Sequence, residues 1–174
     1  EVPPVRSRNE TVFKWALYSA ATALCFLIQG FLLQLLSPRG VIRFLYPMVA
    51  AVAASYEGSI PGTLYALALG IVCDLTLPGP LPCFYTLIFP VVGLCASLIS
   101  QSLLPAGIIC SLAISALAFL LTDGFHCLVL WMSGKAAWAA GSWVMIREFC
   151  VTAPFAIPVT LLFRSVFRRT HLDD

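Results

Sequence analysis

Two carboxylates stand inside otherwise apolar runs of this sequence. Such intramembrane acids mark ion or ligand paths, proton relays or paired structural sites. Asp74 lies near the end of the run Ile60 to Leu77, and Asp123 lies well inside the run Ile108 to Met132. His126 follows Asp123 by three residues, which puts both on one face of a helix. Three roles stay open for Asp123: a structural ion pair, a partner-docking contact, or a ligand or proton site. His126 reads as a hydrogen-bonded packing residue, because one histidine without cysteine or carboxylate partners at ligand spacing is no zinc site. Arg43, Lys135 and Arg147 are the cations that could pair with the two acids.

Catalytic groupings are not legible. Acyl transfer needs a nucleophile beside a base, yet there is no G-x-S-x-G motif, and His126 and His171 have no evident triad partners. Phosphoryl transfer on metal ions shows clustered acids, whereas these are single and dispersed. The cysteines at 25, 73, 83, 95, 110, 127 and 150 form no C-x-x-C pair. They are expected to pack as small core hydrophobes. The reading is therefore a protein that is not an enzyme, with no cofactor and no metal.

The elements that must carry these residues are membrane helices. Of the 174 residues, 60% are hydrophobic and 10% charged, with a mean hydropathy of +0.96. Soluble domains carry about 25% charge. Backbone in hydrocarbon has to satisfy its own hydrogen bonds, which leaves helix bundles or closed barrels, and long unbroken apolar runs exclude the alternation of a barrel. Six spans are expected, at Trp15 to Leu36, Phe44 to Tyr56, Ile60 to Leu77, Cys83 to Leu104, Ile108 to Met132 and Phe149 to Phe163. The second is short unless Val41 to Arg43 extend it. Trp15 and Tyr18 are placed in an interfacial belt, Gln29 and Gln34 as interhelical hydrogen-bonding groups, and Ser133 to Glu148 as a connection lying on the membrane surface through its tryptophans. The whole chain, 1–174, reads as one all-α integral membrane domain with polar tails at 1–14 and 164–174.

A net charge of +2, with cations at the ends, does not point to nucleic acid. It points to topology. Arg6, Arg8, Lys14, Arg164, Arg168 and Arg169 lie in the tails against Arg39, Arg43, Lys135 and Arg147 elsewhere, so an even number of spans puts both termini in the cytoplasm.

The most patterned segment is Gly62, Ala66, Gly70 and Asp74, recurring every four residues as one narrow helical stripe along which a second helix can approach closely. The stretch from Gly62 through Gly70 and Asp74-Leu75, followed by a Gly/Pro turn, Leu81 and an apolar helix bearing Gly93, resembles the MreD family of bacterial rod-shape-determining membrane proteins. Length, six spans and short basic tails agree. Pro82 stands where the family usually has a glycine, so the local turn is not carried over. The resemblance implies a non-catalytic scaffold in the bacterial cytoplasmic (inner) membrane, working with an MreC-like partner and other components of the cell-wall elongation complex in peptidoglycan synthesis. Gly62, Gly70 and Asp74 match its pattern. The same family is similar in fold to the substrate-binding S components of energy-coupling-factor vitamin transporters, which supplies an alternative function.

Overall fold

The computed structural model describes residues 8–33, 45–77, 79, 81–103, 107–134 and 138–170. Every described element is helical: α1 (Arg8–Leu27) with a π-helical end (Ile28–Leu33), α2 (Tyr46–Glu57), α3 (Ser59–Thr76), α4 (Phe84–Ser102), α5 (Ile108–Met132), α6 (Trp138–Thr152), a 3-10 turn (Ala153–Phe155) and α7 (Ala156–Thr170). Among the described residues, five stretches are long and apolar enough to cross a membrane: Thr11–Phe31, Ser59–Thr76, Phe84–Ser102, Ile108–Met132 and Gly141–Thr170. The expected all-α membrane bundle is what the chain forms. Arg39, Arg43, Lys135, His171 and the Ser37 to Gly40 turn lie outside the described residues.

Helix α2 is the centre of the bundle. Its 12 residues rise about 18 Å at ~1.5 Å each, well short of the roughly 30 Å of hydrocarbon. It need not face lipid, because Val49 to Ala54 are fully buried beneath α3, α4, α5 and α7. A helix apolar all round belongs inside. The first span and α2 run antiparallel: Lys14 pairs with Glu57 at one end, and at the other the Leu45 N–H donates to Gln29 Oε1 at 2.9 Å. Gln29 thus satisfies a donor that the start of α2 cannot satisfy internally.

Gly58, with φ +86°, turns the chain from α2 directly into α3, a conformation glycine adopts without strain. A Cβ on Gly62 would lie 2.7 Å from the Ala54 Cα, so α2 and α3 close into a tight hairpin. Helix α4 then returns along α3, and α5 runs back out. The contacts of Tyr56 with Phe167 and of Tyr18 with Phe163 bring α7 to the Lys14 end. The start of α1 and the end of α7 therefore share one end of the bundle.

Three sequence expectations are corrected. Ser133 to Glu148 is not a surface connection throughout: from Trp138 onward it is α6, which packs on α5 and continues through the 3-10 turn at Pro154 into α7. Its glycines and charges lower the hydropathy without stopping the helix, because α5 supplies an apolar partner. Tyr18 is fully buried among Trp15, Tyr65 and Phe163 rather than belted at an interface. Among the cysteines, 25, 73, 110 and 127 are buried, but Cys83 and Cys150 are exposed.

Candidate functional site

The first candidate site is the junction of α3 and α4. Cys83, in the position that would cap α4, adopts the left-handed φ of 59° and makes no side-chain cap. The first N–H groups of α4 therefore need an acceptor from elsewhere. Asp74 provides it from the last turns of α3: Oδ1 accepts the Tyr85 N–H at 3.0 Å, while Oδ2 accepts the Thr86 N–H at 2.7 Å and the Thr86 hydroxyl at 2.5 Å. A carboxylate at a helix N-terminus is also favoured by the helix dipole. The charge of Asp74 is thus held by α4 itself.

The stripe below Asp74 makes that reach possible. A Cβ on Gly70 would stand 2.6 Å from the Tyr85 carbonyl oxygen and 3.0 Å from the Thr86 Cα, both of them backbone. From the other side, a Cβ on Gly93 would meet the Ala66 Cβ at 2.8 Å and the Gly62 oxygen at 3.3 Å. Gly62, Ala66 and Gly70 are all buried. The structure brings the four stripe residues into one seam, directed inward at α2 and α4.

The second candidate site lies on the neighbouring seam, between α5 and α6. Asp123, His126 and Glu148 line a cavity of about 280 Å³ whose remaining wall includes Cys127, Leu130, Val144 and Met145. Asp123 Oδ2 is shielded from solvent and has no hydrogen-bond partner among the described residues. The carboxylates of Asp123 and Glu148 are close enough to act on each other electrostatically. His126 is held against the Phe84 ring, with centroids 5.7 Å apart. Phe84 is the first residue of α4, so the helix start that Asp74 caps also supports the histidine. Arg147 is exposed and does not line the cavity.

Glu148 escaped the sequence reading as a partner of Asp123. The signal was the spacing Gly141, Met145, Glu148, at four and then three residues, which is one helical face. A second missed feature is the ion pair of Lys14 with Glu57, whose side chains are only 11% and 1% exposed. Around it gather Tyr18 and, through a hydrogen bond between Thr22 and the Tyr65 hydroxyl, the middle of α3. Two opposite charges flanking two consecutive apolar runs were its trace in the sequence. Among the described residues no group of three or more His, Cys, Asp or Glu is arranged to hold a metal ion.

Comparison with protein families, with curated proteins and with solved structures found no match to this chain.

Proposed function

We propose that the chain is a non-catalytic membrane scaffold of the MreD type, holding an MreC-like protein in the cell-wall elongation complex of the bacterial cytoplasmic membrane. The observation that carries this reading is the α3–α4 seam. The residues on which the family resemblance rests, Gly62, Gly70 and Asp74, are the ones that lock the two helices together, with Asp74 consumed as the cap of α4. A locked hairpin presents a fixed outer surface. On it Leu64, Leu75, Leu87, Val91 and Leu98 are exposed, and without a hydrophobic driving force in lipid, packing against such a rigid surface is what holds another membrane helix. On this reading both termini are cytoplasmic, Asp74 acts by holding the surface in shape, and no substrate is turned over.

The test is co-expression of the tagged chain with an MreC-like protein in a rod-shaped bacterium. The expected result is stoichiometric co-purification, lost when Leu87 and Val91 are both replaced by tryptophan in a variant that still folds. Co-purification with a transporter ATPase instead, together with vitamin uptake, would replace the scaffold by the S-component function.

A further inference from the structure

Helices α5 and α6 approach closely at Gly141, where a Cβ would overlap the Cys127 Sγ, yet packing does not fill the whole seam. Its cavity of about 280 Å³ adjoins a second of about 470 Å³, and the two share Met145. They differ in chemistry along one line. The first is lined by Asp123, His126 and Glu148, while the second is lined entirely by apolar side chains, among them Leu117, Leu120, Ile146 and Phe149. The seam thus carries an acidic cavity beside a hydrocarbon-walled one, inside two of the stretches apolar enough to cross a membrane.

An acid inside a span is tolerated when something compensates its charge. Among the described residues the one ion pair is that of Lys14 and Glu57, at the other end of the bundle, and no cationic side chain lines the cavity. Asp123 Oδ2 remains shielded and has no partner among the described residues. A bare metal ion does not suit the space. The volume far exceeds one ion, the walls are largely hydrocarbon, and no described group has a metal-ligating arrangement.

We propose that this seam binds an amphiphilic ammonium compound. Its cationic head sits between Asp123 and Glu148 within hydrogen-bonding reach of His126, and its alkyl chain lies past Met145 along Leu117, Leu120 and Ile146. Two carboxylates on one head group select a monocation with N–H donors over an anion or a neutral alcohol of the same length. The apolar extension makes longer chains bind more tightly, because each added methylene leaves water for the apolar wall of the second cavity. The compound is either a free alkylamine or the ammonium of an aminophospholipid, both of which present the same head to the two acids. The site does not depend on the scaffold function.

The experiment uses the full chain purified in a non-ionic detergent and an amine-free buffer, with thermal unfolding as the readout and octylammonium, butylammonium and octanol as probes. Octylammonium is expected to raise the unfolding temperature saturably, butylammonium at several-fold higher concentration, and octanol not at all. Asp123→Asn and Glu148→Gln are each expected to raise the half-saturating octylammonium concentration at least tenfold. Met145→Trp, which keeps both acids and enlarges the side chain that lines both cavities, should abolish the advantage of octyl over butyl. Reconstitution in nanodiscs separates the sources: stabilisation by phosphatidylethanolamine over phosphatidylcholine, lost in Asp123→Asn, assigns the lipid, and its absence alongside octylammonium binding assigns a free amine. The proposal is overturned if octanol matches octylammonium, if no amine saturates, or if the acid variants and Met145→Trp all bind as wild type does. It is equally overturned if octylammonium binds only after Lys135→Ala, because the chain's own ammonium would then be the occupant.

Discussion

Replacing Asp74 by alanine strips the start of α4 of three hydrogen bonds at once, from the Tyr85 N–H, the Thr86 N–H and the Thr86 hydroxyl. Loss of an N-cap costs about 0.5–2 kcal/mol, and an orphaned buried backbone donor about 1–3 kcal/mol. Asp74 is half-buried near a helix end, so some water reaches the freed groups and the sum is discounted to about 2–3 kcal/mol. Asparagine keeps one acceptor oxygen and turns the other into a donor, which leaves one N–H unsatisfied and removes the charge opposite the helix dipole. About 1–2 kcal/mol should go. Thr86→Val loses only the hydroxyl bond, about 1 kcal/mol. At roughly 2–4 °C per kcal/mol for a chain of this size, Asp74→Ala should lower the unfolding midpoint in detergent by about 5–10 °C, Asp74→Asn by about half of that, and Thr86→Val least. The double variant Asp74→Ala/Thr86→Val should fall short of additivity, because the two single changes remove one shared bond. An Asp74→Ala protein as stable as wild type, or an additive double variant, would refute the cap.

Gly70→Leu should yield little folded protein, since even a Cβ there meets backbone of α4 at 2.6 Å, whereas Ala68→Leu on the exposed face of α3 should express normally; equal yields from a fluorescence-tagged expression test would remove the close seam. Lys14→Met leaves the Glu57 carboxylate buried without its cation and should cost about 3–5 kcal/mol, while Lys14→Met/Glu57→Leu should recover much of that loss; a double variant no better than the single one in detergent unfolding speaks against the pair. With the start of α1 and the end of α7 at one end of the bundle, alkaline-phosphatase fusions should be inactive after Thr170 and active after Gly79, and an active C-terminal fusion would reverse the proposed orientation.

Fold class was determined by the sequence alone, because in hydrocarbon the backbone has no partner except itself and long apolar runs admit nothing but helices. The same holds for the stripe. Gly62, Ala66, Gly70 and Asp74 at four-residue spacing mark a helix face whatever lies opposite, since the spacing is a property of one helix. What lay opposite was not legible. That Asp74 caps α4 depends on the left-handed Cys83 and on how far the Pro82 turn swings the chain, both of which are outcomes of packing. Asp123 and His126 could be placed on one face because they share a helix, but Glu148 sits 25 residues further on, and its meeting with Asp123 was decided by α6 folding back on α5. Its own segment read as a connection, because hydropathy averages over a helix, whereas burial depends on the face each residue turns to its neighbour. Helix α2 is the converse case: too short to span by its own length, it crosses the bundle because four other helices keep lipid away from it. Periodicity along one helix is local information that a sequence carries, and the pairing of helices is a global minimum that only the assembled bundle defines.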